Sequence, residues 1–130
     1  MPEPLACRWL RKALDDLRLA EAAMDIGVDP GLAAFHAQQA AEKALKALLV
    51  AYGVPAPRTH DLWELIDLLG RKTDVSYLRG IDAEELTYYA VEPRYPGPPI
   101  IREEAEYALD KANKVVDWVK QHLSRLGVNC

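Results

Sequence analysis

The sequence predicts an all-α protein, an up-and-down bundle of about five helices, three long and two short, in which residues 1–130 form a single domain. Three observations predict it. Apolar residues recur at three- and four-residue spacing in three long stretches. Glycine and proline punctuate the chain between those stretches. Nowhere do apolar and polar residues alternate for long, and no hairpin dipeptide joins two β-rich runs.

The first helix is expected over residues 5–26. Trp9, Ala13, Leu17, Ala20 and Met24 form its stripe, flanked by Leu10 and Leu14, while Arg8, Arg11, Lys12, Asp15, Asp16, Arg18 and Glu21 cover much of the rest. Gly27 stops it, and Asp29-Pro30 supplies a capping side chain followed by proline at a first helical position. The short connection makes the next helix an antiparallel neighbour.

That next helix, centred on FHAQQAAEKALKALLVAY from Phe35 to Tyr52, is the scaffold of the chain. It lacks Gly and Pro and is rich in strong helix formers. Its apolar residues cover most of the circumference, as in a helix enclosed by others. Gln38 and Glu42, one turn apart, project on the apolar side and must be hydrogen-bonded if buried. His36, Gln39, Lys43, Lys46 and Val50 are left for a narrow outward strip. Gly53, Pro55 and Pro57 end the helix.

Thr59 or Asp61 then caps a short third helix from Leu62 to Leu69, closed by Gly70. A polar segment, residues 71–76, leads through Tyr77-Leu78 to a break at Gly80. Asp82 and Glu85 have capping-box spacing and start a fourth helix to about Ala90. VEPRYPGPP, residues 91–99, reads as an extended loop because residues before proline leave the helical region. The last helix runs from about Ile101 to Leu126, burying Ala105, Ala108, Leu109, Ala112, Val115, Val116, Val119, Leu123 and Leu126.

Half the residues are hydrophobic and 28% are charged, the balance of a soluble globular protein. A net charge of −4 makes tight binding to nucleic acid an unfavoured role unless a local basic strip supplies it. Cys7 and Cys130 lie at opposite ends, match no metal or redox spacing, and read as free thiols in a reducing cytoplasm. No apolar run reaches the ~18 residues of a membrane span and no signal-peptide core is present, so the expected location is cytoplasmic, away from the membrane.

His36, His60 and His122 show neither i,i+4 pairing nor a ligand cluster, so no metal is expected. Glycine cradles for phosphate and activated nucleophiles are absent as well, and no cofactor is expected. The strip His36, Gln39, Lys43, Lys46 spans about 80° of helix surface and can contact an anion, a nucleotide or an acidic partner surface, or simply face water. Gln38 and Glu42 read as a structural network with Arg58 or Arg94 as partners, since a buried carboxylate needs a fork of donors. Tyr88, Tyr89, Glu92, Arg94 and Tyr95 lead into the proline loop and can either stack on a ligand ring or clamp the loop to the bundle.

Three segments carry a family resemblance: FHAQQAAEKALKALL (35–49), THDLWELIDLL (59–69) and YYAVEPRYPG (88–97). In order and spacing they resemble the signature segments of the HEPN domain. The resemblance implies a four- to five-helix bundle that dimerises through its long helices. It implies nucleotide binding and, in prokaryotes, pairing with a minimal nucleotidyltransferase in a toxin–antitoxin-like couple. Many HEPN domains are ribonucleases marked by an Arg followed, after four to six residues, by His. Here the residues at that distance before His36 are Asp29, Pro30 and Gly31, before His60 Gly53, Val54 and Pro55, and before His122 Val115, Val116 and Asp117. None is Arg, so the ribonuclease activity is not carried over. The Arg94-Tyr95-Pro96 loop resembles a branch with a binding or partner role.

The expected function is therefore a non-catalytic, homodimeric HEPN module binding a nucleotide-like ligand, a nucleotidyltransferase partner, or both. Its expected contacts are His36, Gln39, Lys43, Lys46, His60, Tyr89, Arg94 and Tyr95, with Gln38, Glu42, Arg58 and Asp61 as a structural network that gathers the three segments around one spot. Two alternatives stand beside it: a divergent ribonuclease using His60 with Arg58 or Arg94, and a purely structural interaction domain.

Overall fold

The structure is a computed structural model that describes residues 2–91 and 98–130. Its elements are α1 (Leu5–Ile26), α2 (Pro30–Ala51), α3 (Leu62–Leu69), α4 (Ser76–Gly80), a 3-10 helix (Ala83–Ala90) and α5 (Arg102–Arg125). There is no strand among the described residues. α2 packs against α1, α5, α3 and the 3-10 helix, and fourteen of its 22 residues are buried, which makes it the axis of the bundle.

Small side chains let the long helices approach α2. Ala33, Ala34, Ala37, Ala40, Ala41, Ala44 and Ala47 are all fully buried, while Leu45, Leu48 and Leu49 fill the remaining space. Each such leucine contributes about 1.5–3 kcal/mol by leaving water. The same interior continues through Leu65, Ile66, Leu78, Leu86, Val115 and Val119 as one hydrophobic cluster.

Local chemistry sets the ends of the long helices. Asp29 Oδ1 accepts from the Gly31 amide at 2.9 Å, capping α2 ahead of the proline turn. At the C-terminus of α2, Gly53 N–H goes to Val50 O at 2.9 Å and Val54 N–H to Leu49 O at 2.9 Å. This pair of bonds is a Schellman motif, which requires a left-handed residue, and Gly53 has φ 82°. α5 ends identically, with Gly127 at φ 78° and bonds to Ser124 O and Leu123 O.

Three expectations need correction. The segment after Asp82 is a 3-10 helix and carries no capping box. Asp82 is left-handed (φ 53°), whereas a capping residue needs extended backbone. The buried Lys111 ammonium instead holds this corner, donating to Asp82 O at 3.0 Å and to Glu85 Oε2 at 2.9 Å. Second, residues 76–80, for which no helix is expected and where Gly80 reads as a break, form the extra helix α4. Its signal was present: the Asp74 carboxylate accepts from the Ser76 amide at 2.8 Å, a bond that holds the Asp74 pKa below its ordinary value.

Third, Cys7 and Cys130 are not free thiols. They form a disulfide, with Cα atoms 5.3 Å apart, that fastens the segment after α5 to the first turns of α1. Antiparallel packing brings the two ends of the bundle together, which a separation of 123 residues conceals. Among the described residues, no helix is long and apolar enough to cross a membrane.

Candidate functional site

Glu42 is the centre of a polar cluster inside the bundle. It is 3% exposed, on the inner side of α2 one turn after the fully buried Gln38. Three donors converge on its carboxylate. Gln38 Nε2 approaches Oε1 at 3.1 Å, Lys46 Nζ approaches Oε2 at 3.0 Å, and His60 Nδ1 lies 2.8 Å from Oε1. Gln38 Nε2 also donates to His60 O at 3.3 Å, and Gln39 Nε2 donates to Gln38 Oε1 at 2.6 Å. The Lys46 ammonium lies 5.6 Å from the Trp9 ring centroid, so its charge also meets an aromatic face. A buried carboxylate and ammonium satisfied to this degree repay much of their desolvation.

The anchoring of the loop before α3 was expected; the partners were not. Lys46 and His60 take the place foreseen for Arg58, and Arg94 lies outside the described residues. Arg58 is exposed and makes no hydrogen bond or ion pair to a described residue. Asp61 caps α3 by accepting from the Trp63 amide at 2.9 Å and does not join the Glu42 cluster. Thr87 Oγ1 accepts from the Leu62 amide at 3.1 Å, so the second family segment meets the first at Glu42–His60 and, at Leu62–Thr87, the residue just before the third.

The strip of His36, Gln39, Lys43 and Lys46 does not face outward. Asp16 of α1, only 6% exposed, takes Lys43 Nζ at 2.6 Å and His36 Nδ1 at 3.1 Å on its two oxygens. Lys46 is itself buried at 6% exposure. These cations are spent on internal carboxylates, which leaves little for a ligand anion. α1 docks across this side of α2. One signal could have shown it: Asp16 lies between Ala13 and Ala20 on the first helix's own buried stripe, at i+3 and i−4.

Tyr89 donates its hydroxyl to Glu104 Oε2 at 2.6 Å, clamping the 3-10 helix to the first turn of α5, and packs edge-to-face on Tyr88 with ring centroids 5.2 Å apart. Burial, reinforced by the Glu104 bond and charge, pushes the Tyr89 hydroxyl well above its ordinary value of 10.0. For Lys111, burial alone would lower the pKa, but Glu85 and Tyr107 outweigh it and hold the ammonium above 10.5. Glu92, Arg94 and Tyr95, the rest of the expected contact loop, lie outside the described residues.

Both shifts have the same sign. A folded pKa above the unfolded one stabilises fully below the unfolded value and is lost as pH rises through the folded value. Stability is therefore expected to hold from pH 8 to about 10 and to fall above that. Urea titrations at pH 8 and 10.5 measure the fall, and Tyr89→Phe should make it shallower. An equal slope in that variant would remove Tyr89 from the account.

The remaining chemistry sits at His60. Its side chain is 63% exposed although the carboxylate behind it is buried. A carboxylate accepts, so Nδ1 carries the proton and Nε2 stays open to a ligand or solvent. The oriented imidazole can donate to an anion when protonated or accept a proton when neutral. Among the described residues, no group of three His, Cys, Asp or Glu side chains is arranged to hold a metal.

Fold and site together define a helical bundle with a buried Glu42–Lys46 pair that holds an exposed His60 at the mouth of one loop. The model of the HEPN domain matches residues 6–122. Two solved structures are similar over nearly their whole length. TT1696 from Thermus thermophilus has a TM-score of 0.76 and 34% identity, covering 91% of this chain and 98% of that one. ST0689, described as an archaeal HEPN homologue, has a TM-score of 0.72 and 27% identity, covering 95% and 99%. No curated protein matches significantly. The chain belongs to the HEPN domain family.

Proposed function

We propose that this HEPN domain is a binding module without turnover that takes a nucleotide-like ligand, docks on a nucleotidyltransferase partner, or does both at the His60 edge. One observation carries the reading: a buried carboxylate fixes the His60 ring with Nε2 outward, and the charge of Arg58, two residues earlier, has no partner among the described residues. Together they offer a phosphate an oriented imidazole, which donates from Nε2 when protonated, and a guanidinium with no described partner. Titration with ATP and GTP is expected to give saturable binding that weakens roughly tenfold or more in His60→Ala and in Arg58→Ala. Absence of saturation in the unmodified protein sinks the ligand half. The partner half fails if a minimal nucleotidyltransferase encoded beside this chain does not co-purify with it.

The same observation favours a second reading. A carboxylate–imidazole pair with an open nitrogen is equipped for acid–base chemistry on RNA, with Arg58 beside the developing phosphate charge. Incubation with tRNA and mRNA, with His60→Ala as control, separates the two. Cleavage abolished by that substitution replaces the binding reading.

Self-association belongs to the proposal. Ile26 (74% exposed), Val28, Leu32 and Ile101 are solvent-facing, and the bond from Arg102 Nη1 to Met24 O (3.2 Å) joins the α5 start to the α1 end. This apolar end supports a dimer. Sedimentation at micromolar concentration showing only monomer would refute it.

A further inference from the structure

The C-terminal tail, residues 128–130, lies over the seam between α1 and α5 with a cavity on each side of it. One cavity, of about 530 Å³, is bounded by Pro2, Glu3 and Arg11, and the other, of about 480 Å³, by Lys120 and Ser124 of α5. Leu10, Leu14, Asn129 and Cys130 line both, so the tail is the partition between them. A close-packed chain end leaves no such space.

Little besides sulfur keeps the tail in place. Its last backbone bond is Val128 N–H to Leu123 O at 2.9 Å, and the amides of Asn129 and Cys130 donate to no described residue. Asn129 O lies 3.6 Å from Cys7 Sγ, but a bridged sulfur has no proton to donate. The two halves of the bridge differ in access. Cys7 is 3% exposed, on the buried side of α1, whereas Cys130 is exposed and lines both cavities. Thiol–disulfide exchange depends on which sulfur can be reached, and the entering thiolate approaches opposite the departing sulfur. At Cys130 that approach comes from solvent, because Cys7 departs inward. At Cys7 it would have to come through the packed interior.

We propose that the Cys7–Cys130 bridge is a reversible latch, opened by a dithiol reductant that attacks Cys130 Sγ, and that its opening frees the tail from the α1–α5 seam. In the first step the attacking thiolate forms a mixed disulfide with Cys130 Sγ. The Cys7–Cys130 bond breaks and its electron pair leaves on Cys7 Sγ, in the first turn of α1, where the helix dipole favours an anion. Cys7 Sγ then takes a proton from water. In the second step the reductant's other thiolate attacks the reductant's own sulfur in the mixed disulfide, and Cys130 leaves as a thiolate that is protonated in turn. The dithiol ends as a disulfide and the protein as two thiols. Without the bridge, residues 128–130 swing away and the two cavities join along Leu10 and Leu14. Exchange with an external disulfide runs the same steps backwards and closes the latch. The latch draws on no residue of the His60 edge.

Dithiothreitol and glutathione are the probes, applied to the full chain below its melting range while the far-UV helical signal is recorded. The rate of bridge opening, followed by alkylation and mass, is expected to rise about tenfold for about tenfold more dithiothreitol, with the helical signal kept. Glutathione caught by rapid acid quench should map to Cys130 and not to Cys7. On reduction the backbone order parameters of Asn129 and Cys130 should fall from about 0.85 to below about 0.6. A soluble paramagnetic agent should then broaden the Leu14 methyl signals more than in the bridged protein. Cys130→Ser should show the mobile tail without any reductant. Opening that plateaus with dithiothreitol, or that proceeds only with loss of the helical signal, makes reduction a consequence of unfolding and overturns the latch. Glutathione caught on Cys7 overturns the point of attack. A tail as rigid after reduction as before it shows that packing holds the tail, and the proposal falls.

Discussion

Reduction of the Cys7–Cys130 disulfide is expected to lower the thermal midpoint by about 12–25 °C. The bridge closes a loop spanning 123 residues of separation. In the chain-entropy description a loop of that size removes enough freedom from the unfolded chain to stabilise the fold by about 4–5 kcal/mol. For a protein of this length, each kcal/mol corresponds to roughly 3–5 °C. The native contacts of the tail are few: Val128 N–H to Leu123 O at 2.9 Å closes the α5 end, and the tail beyond it is tied to α1 chiefly through sulfur. Melting with and without reductant measures the effect, and Cys130→Ser should reproduce the reduced value without reductant. Equal midpoints in all three samples would show that the bridge constrains nothing the packing had not already constrained.

Glu42→Ala is expected to cost about 3–5 kcal/mol, since it leaves the Lys46 ammonium buried without its counter-charge. Glu42→Leu should behave similarly. Glu42→Leu combined with Lys46→Met should recover much of the loss, because a hydrophobic pair of similar volume replaces a buried ion pair at little cost. The double variant also isolates the anchoring role: even with stability recovered, His60 has lost its acceptor, so protease cleavage in residues 53–61 should increase. A Glu42→Leu protein as stable and as protease-resistant as the original would refute both the ion-pair and the anchor accounts.

The long helices were legible because their determinants lie within a turn or two. The stripe from Trp9 to Met24, the Asp29 cap and Gly53 act on neighbouring residues, and α1 and α2 follow them (Leu5–Ile26, Pro30–Ala51). The region 71–90 was less legible. Its 3-10 helix depends on distant groups, above all on the Lys111 bonds to Asp82 O and Glu85, which reach across 29 and 26 residues.

The candidate site divides in the same way. That Gln38 and Glu42 are buried and hydrogen-bonded could be read from their place on the apolar arc of one helix. Their partners could not, since the helical period puts Lys46 on the outward strip and His60 approaches from the loop before α3. Taken alone, the sequence determined the helical class, the bounds of α1 and α2, the central position of α2 and the need for a polar cluster at Glu42. Those properties follow from periodicity, capping and burial along a single helix. Packing decided the pairing of Lys43 and His36 with Asp16, the outward Nε2 of His60 and the Cys7–Cys130 bridge. Each of these depends on which face one helix turns to another, and neither the period nor the composition of a helix specifies that face.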